Sequence, residues 1–400
     1  MKGIIHYLFR LWIRVTSYFF FEKIIVSGLE NLPKECPVIF ASNHPNSFLD
    51  SIILTTSAKR PLYYTARGDF FKPGIISHLL KFIQILPVFR REEGKENLYK
   101  NDKTFSYSLE VLKNNGAIVI FSEGICENEY NLRALRKGTA RLANVAWSNP
   151  DIGERLKVVP VIIQYSSWLK ICPRVYVDFL QNIERKSFPD LEESGLFNKK
   201  FNDRLKEILY EKCIVIDKSS DILLQNKFIG FVLRNFNDGV CIAKKMQGKF
   251  LLQENKSFNA NYVNISEFLV KENIRYFKEG ELGFITFLLS ILIHASAYIL
   301  NFIPYHFSRF VVSKITKDAV FHDSLIYVML MVTYPVYLII IFSIFNCYLN
   351  FCVGNSIVMM ALLTAKLYET SKRNVQCFLK RKNLKLVSQM LKNLSETNNG

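Results

Sequence analysis

The alternation of apolar and polar residues divides the chain into three regimes. Residues 3–21 are apolar and aromatic, interrupted by Arg10 and Arg14. A secretory leader needs an uncharged central run and a small-residue cleavage site, and this stretch has neither. It predicts a membrane-interfacial or shallowly embedded helix over residues 1–22, its arginines reaching toward lipid phosphates. A helix packed on the domain core is the alternative. From 23 to 215 short β-branched runs alternate with pieces of helical period, the pattern of an α/β domain. Residues 24–29, 38–41, 63–66, 85–88, 117–121 and 158–164 read as strands, the last interrupted by Pro160. Residues 106–113, 131–147 and 198–211 read as helices, with Arg133, Arg136, Lys137 and Arg141 on the early turns of the second.

Residues 216–282 form a charged, mixed α/β extension without a chemical motif. Residues 283–304 then carry no charge and are long enough to cross a hydrocarbon layer of about 30 Å. Residues 324–365 are also uncharged, with breaks at Pro335 and at Asn346, Asn350, Gly354 and Asn355. They predict two spans, or one span and a re-entrant piece. Residues 283–370 are therefore expected to hold two to three transmembrane helices, a buried hairpin in a soluble protein being the alternative. Lys366, Lys372, Arg373, Lys380, Arg381, Lys382 and Lys385 flank them, and residues 371–400 read as a basic cytoplasmic tail.

Half of the 400 residues are hydrophobic although 52 are basic and 35 acidic, so the apolar excess is segregated into these segments. The net charge of +17 favours an anionic partner such as a phospholipid surface, a phosphorylated substrate or an acidic carrier protein. Nucleic acid is disfavoured, because no basic stripe with interleaved stacking aromatics is visible. The eight cysteines form no C-x-x-C pair, which argues against a zinc site and a secreted disulfide framework, and no metal is expected.

Candidate chemistry gathers where strands end. Val38 to Ser42 runs into Asn43-His44-Pro45-Asn46-Ser47-Phe48-Leu49-Asp50, a strand-to-helix corner carrying a histidine and a downstream aspartate. Such corners are where α/β proteins meet substrates, and the pair suits a general base with an orienting acid. Ser47-x-x-Asp50 is equally a capping box. A second corner follows residues 117–121 at Ser122-Glu123-Gly124.

Four blocks in order, Asn43-His44…Asp50, Pro87-Val88-Phe89-Arg90-Arg91, Phe121-Ser122-Glu123-Gly124 and Val158-Val159-Pro160-Val161, make residues 20 to 215 resemble the glycerophosphate and lysophospholipid acyltransferases. The look is closest to the branch acting on glycerol 3-phosphate or dihydroxyacetone phosphate. His44 and Asp50 have five residues between them rather than that family's usual four, and Ser122 stands where proline is usual. The pair must then meet across the start of the helix. The resemblance implies an acyltransferase domain with a mixed sheet flanked by helices, between an N-terminal interfacial helix and C-terminal transmembrane helices. It implies acyl transfer from acyl-CoA or an acidic acyl carrier protein, without a cofactor, to glycerol 3-phosphate, dihydroxyacetone phosphate or 1-acylglycerol 3-phosphate. His44 would be the base and Asp50 its orienter; Asn43, Arg90, Arg91, Ser122, Glu123, Gly124 and Lys137 would bind substrate. The protein would be integral to the membrane, among lipids, with its catalytic domain on the cytoplasmic face. A catalytically idle membrane scaffold holding anionic lipids or an acidic partner is the alternative.

Overall fold

The computed structural model describes residues 2–71, 82–88, 100–168, 173–188, 194–216, 222–244 and 282–396, and positions 74, 78, 80, 264, 265, 267–269, 271 and 274. Two compact units emerge. One comprises residues 1–14, 26–164 and 176–213, the other residues 15–25, 165–175 and 214–400.

The described strands are β1 (Lys23–Ser27), β2 (Val38–Ser42), β3 (Tyr63–Arg67), β4 (Ile85–Val88), β5 (Ala117–Phe121), β6 (Lys157–Tyr165) and β7 (Arg174–Phe179), in one sheet ordered β1-β7-β6-β2-β5-β3-β4. β2 pairs in parallel with β5 and β6, and β3 with β4 and β5. The backbone bonds Ser166 to Arg174 and Leu180 to Pro160 pair residues in opposite chain directions, so β7 runs antiparallel to β6 and the sheet is mixed. β2 is buried at every position and β6 at all but its first. Their unbroken apolar runs are what a strand covered on both faces requires. The helices are α1 (Lys2–Phe20), α2 (Ser47–Ser57), α3 (Lys100–Lys113), α4 (Gly138–Ser148), α5 (Ser194–Lys212), α6 (Ile222–Asn235), α7 (Phe284–Ile315), α8 (Ala319–Tyr348), α9 (Phe351–Leu379) and α10 (Arg381–Glu396). Trp147 of α4 meets Phe197 and Phe201 of α5 edge-on, and its indole N–H is satisfied by the Leu156 carbonyl at 3.1 Å.

Two sequence expectations change here. Pro160 does not interrupt β6, and it pairs in register with Ala41. A strand residue directs its N–H and C=O to the same side, and the Pro160 carbonyl accepts from Leu180, one residue beyond the end of β7. The missing donor thus falls where the ladder has ended. The helix expected over 131–147 begins only at Gly138, because the Arg136 N–H donates to the Ser122 carbonyl at 2.7 Å and holds the preceding chain extended beside β5.

Along α1, Ile4, Ile5, Tyr7, Leu8, Leu11, Trp12, Val15 and Tyr18 are exposed at spacings that place them on one face. In the second unit α7, α8 and α9 are long and apolar enough to cross a membrane, at 32, 30 and 29 residues. Pro304 and Pro335 lie within helices, and the chain turns instead at Leu349 and Asn350, whose side chain accepts the Val353 N–H. Asn301 accepts the Tyr334 hydroxyl at 2.6 Å, and the Leu300 carbonyl accepts that of Tyr337, also at 2.6 Å. The expected separate tail is helical: residues 371–379 continue α9, and 381–396 form α10. Near the end of α9, Lys366 donates to the Tyr18 and Phe21 carbonyls, and Arg373 and Arg174 both bond Glu22.

Gly28 has φ +69°, and a Cβ there would stand 1.9 Å from the Phe179 carbonyl oxygen; Gly153 also has positive φ but faces open space. Gly28→Ala should therefore destabilise the protein by at least about 2 kcal/mol and Gly153→Ala by about 1 kcal/mol. Thermal midpoints of the detergent-solubilised chain measure both, and equal effects would refute the close approach.

Candidate active site

The parallel pairing of β2 with β5 and β6 brings the ends of β2 and β5 together beside the middle of β6. Ser42 is in register with Phe121 and with Val161, the Ser122 N–H donates to the Ser42 carbonyl at 2.8 Å, and the Asn43 N–H donates to that of Val161 at 3.4 Å. The segments after β2 and β5 therefore leave the sheet side by side at its carboxyl edge.

His44 leaves β2 there. Its Nδ1 lies 2.8 Å from Asp50 Oδ2, with the His44 side chain 17% exposed and that of Asp50 wholly buried. A carboxylate accepts only, so it is Nδ1 that donates in this bond, and Nε2 is the ring nitrogen left without Asp50. The ring stacks on Phe121 with centroids 3.9 Å apart and planes 10° from parallel, which fixes its orientation. The same Asp50 oxygen accepts the Asn46 backbone N–H at 2.8 Å, so this carboxylate does serve the start of α2. One Asp50 oxygen thus meets both the His44 ring and the N–H of Asn46, the residue that caps α2; the capping box expected from Ser47 is displaced by one residue, since Ser47 is already helical. On the far side of the turn, the Asn128 amide donates to the Pro45 carbonyl at 2.9 Å.

Glu123 follows β5 and is buried, 3% exposed. Burial pushes its carboxyl up to about 7, against the nearby Arg133 cation and the His44 backbone N–H, which both favour the charged form. Arg133 Nη1 lies 3.6 Å from Glu123, and Nη2 also pairs with Glu127 and Glu129. One guanidinium thus offsets three carboxylates.

The other expected residues divide. Ser122 is buried with its hydroxyl on that of Thr139 at 2.9 Å, and Gly124, at φ +70°, donates its N–H to the Phe121 carbonyl. A Cβ at Gly124 would lie 2.9 Å from Arg136 Cγ, so glycine admits both the turn and the arginine. Asn43 turns away from His44: its amide donates to the Ile163 carbonyl at 3.0 Å and accepts the Ile163 N–H at 2.8 Å, locking the corner to β6. Lys137 is exposed immediately before α4. Arg90 and Arg91 lie outside the described residues. Among the described residues no cluster of His, Cys, Asp or Glu is placed to hold a metal ion. Sequence reasoning missed Phe121 as a stacking partner, Asn128 as a strut and Arg133 as the partner of Glu123. Only Arg133 carried a signal, since Glu127 and Glu129 call for a nearby cation.

Residues 23–164 match the family model described as Acyltransferase. A chloroplastic 1-acyl-sn-glycerol-3-phosphate acyltransferase of Arabidopsis thaliana is 29% identical over 139 residues, covering 34% of this chain and 37% of that protein. A second, from Brassica napus, is 26% identical over 139 residues, 34% of this chain and 38% of its own. The chain thus spans less than two fifths of the curated relatives it matches. Among solved structures, the 1-acyl-sn-glycerophosphate acyltransferase of Thermotoga maritima is similar over 52% of this chain and 97% of its own, at 17% identity and a TM-score of 0.33.

The Glu123 carboxyl makes stability depend on pH. The unfolded chain releases this proton near pH 4.5 and the folded protein near 7, so between those values the folded state binds more protons. The stabilisation is full below 4.5, falls as pH rises through 7 and is then gone; it amounts to about 3 to 4 kcal/mol at most, at 1.4 kcal/mol per unit. Glu123→Gln removes the titration. Thermal midpoints from pH 5 to 8 should show the variant gaining on the wild type as pH rises, and parallel curves would refute the assignment.

Proposed function

We propose, from the premise that residues 23–164 belong to the acyltransferase family within the glycerophosphate and lysophospholipid acyltransferase superfamily, that this protein acylates the hydroxyl of a glycerophosphate. The names of the curated relatives favour 1-acylglycerol 3-phosphate as acceptor, with glycerol 3-phosphate and dihydroxyacetone phosphate as the other arms of the test. The acyl group would come from acyl-CoA or an acyl carrier protein. The observation that carries the reading is the 2.8 Å bond between His44 Nδ1 and a wholly buried Asp50 carboxylate.

A free hydroxyl attacks a thioester poorly at neutral pH. His44 Nε2 takes its proton as the new C–O bond forms at the acyl carbonyl. The C–S bond then breaks, and the same nitrogen returns the proton to the departing thiolate, so atoms and charge balance and no acyl-enzyme is formed. Asp50 holds the tautomer and stabilises the imidazolium between these steps, as the acid of a triad does. Asn43 serves by fixing the corner to β6, and Glu123 by accepting the His44 backbone N–H. Arg90, Arg91 and Lys137 are the cations assigned to the acceptor phosphate, which guanidinium groups bind bidentately. The three apolar helices support membrane association. The lysines and arginines from Lys366 onward favour a cytoplasmic face for the catalytic domain. A non-catalytic scaffold would have no use for a buried carboxylate aimed at an imidazole.

Membranes containing the full chain, given labelled acyl donors and each acceptor in turn, should yield an acylated glycerophosphate identified by mass spectrometry. His44→Ala should lower kcat by about 10³ without altering accumulation in the membrane. Undiminished transfer by that variant would overturn the reading, and consumption of no acceptor by the wild type would favour the scaffold.

A further inference from the structure

The six-residue step from His44 to Asp50 poses a geometric problem. On an uninterrupted helix, residues six apart point in directions about 120° apart, so the ring and the carboxylate would lie on different faces. They are nevertheless bonded at 2.8 Å. The same carboxylate oxygen also collects the Asn46 N–H, so the chain must fold back between 44 and 46 and enter α2 with Asp50 still facing its start.

The backbone shows how this is achieved. Asn46, with φ −149° and ψ 53°, is neither helical nor extended, and Ser47, the first residue of α2, has φ +45°. Ser47 is one of three non-glycine residues in the described chain with positive φ, and it is 4% exposed. A left-handed residue reverses the local sense of the chain, and the Leu49 N–H then reaches the Asn46 carbonyl at 3.1 Å to close the first turn. For a serine this conformation is strained, and strained residues persist where their surroundings hold them. Here the constraint is the pair of hydrogen bonds that Asp50 makes to the His44 ring and the Asn46 N–H, with the Asn128 amide pinning Pro45 from the segment after β5.

We propose that Ser47 is a positioning residue for the reaction, its left-handed backbone absorbing the longer spacing so that Asp50 meets the His44 ring. The kinetic part of the test rests on the acyl-transfer reading above. The ring meets Asp50 from α2 and Phe121 at the end of β5, Glu123 lies at the His44 backbone N–H, and of these only Asp50 follows the turn at Ser47 in the chain.

The test is a series at position 47 in the full chain, reconstituted in lipid nanodiscs. Glycine and asparagine accept positive φ, whereas β-branched valine and threonine resist it. Ser47→Gly and Ser47→Asn should keep kcat within about twofold, and asparagine, whose side chain has one more heavy atom than valine's, controls for the added length. Ser47→Val and Ser47→Thr should lower kcat by about 10- to 100-fold with KM within about twofold, because orientation rather than substrate binding is lost. A second readout needs no turnover: in protein labelled with ¹⁵N-histidine, the His44 resonance, assigned with His44→Gln, should report the Nδ1-protonated tautomer in wild type, Ser47→Gly and Ser47→Asn. In Ser47→Val and in Asp50→Asn it should report a mixture. If Ser47→Val does not accumulate, Ser47→Thr and Ser47→Ala carry the comparison, alanine falling between serine and threonine. The proposal is overturned if the β-branched variants retain both kcat and tautomer, or if glycine and asparagine lose as much as valine. Absence of turnover in the wild type would fell the acyl-transfer reading alone, leaving the tautomer to decide the role of Ser47.

Discussion

The site depends on the parallel pairing of β2 with both β5 and β6. Side chains on a strand alternate between faces, so slipping β2 by one residue would exchange its two buried faces and carry His44 away from Phe121. The registers Ser42 to Phe121 and Ser42 to Val161 prevent this, and the bidentate bond of Asn43 to Ile163 adds a side-chain lock at the point where the chain leaves the sheet. Everything downstream, from the stacked imidazole to the bond between Asp50 and Asn46, is built on that fixed exit. A sheet this deeply covered is a rigid base, and it fixes where the imidazole stands.

Two carboxylates are buried beside one imidazole, and their surroundings treat them differently. Asp50 receives two N–H donors on one oxygen, one of them the His44 ring. Glu123 receives the backbone N–H of His44 and shares a guanidinium with two other glutamates, so burial prevails and its carboxyl holds a proton up to about pH 7. The two acids thus grip the same histidine from different ends, Asp50 by its ring and Glu123 by its backbone. Asp50 can bias the tautomer, whereas Glu123 can bias only the placement of the residue.

In the second unit the helices follow another solvent logic. α7, α8 and α9 expose many of their large apolar residues, as helices surrounded by lipid do, and place a few polar groups between them, such as Asn301 with Tyr334. At about 1.5 Å per residue each is longer than a 30 Å hydrocarbon layer needs. The excess of α9 is charged and engaged: Glu369 pairs with Arg234 at 3.3 Å, the two side chains 7% and 9% exposed, and Arg373 shares Glu22 with Arg174. Removing one member of such a buried pair strands the other charge, so these contacts hold the end of α9 to its neighbours firmly.

The sequence by itself determined most of the strands, the long apolar helices and the identity of the histidine and aspartate. These depend on local pattern: continuous β-branched runs for buried strands, uncharged length for the helices, and a corner residue with an acid beyond it. Pro304 and Pro335 did not break their helices, because a proline removes one bond from a ladder that long helices can spare. The late start of α4, the unbroken β6 and the use of Asn43 as a lock were decided by backbone partners in remote segments, which no window of sequence contains. The partner of Glu123 was decided the same way, since Arg133 reaches it only after the chain is held extended by Ser122. Whether Asp50 was a cap or an orienter was open in the sequence, because spacing alone puts it on the wrong face of a helix. In the tertiary structure one Asp50 oxygen bonds both the His44 ring and the Asn46 N–H, beside a Ser47 whose positive φ local preference disfavours, while the remote Asn128 amide holds Pro45.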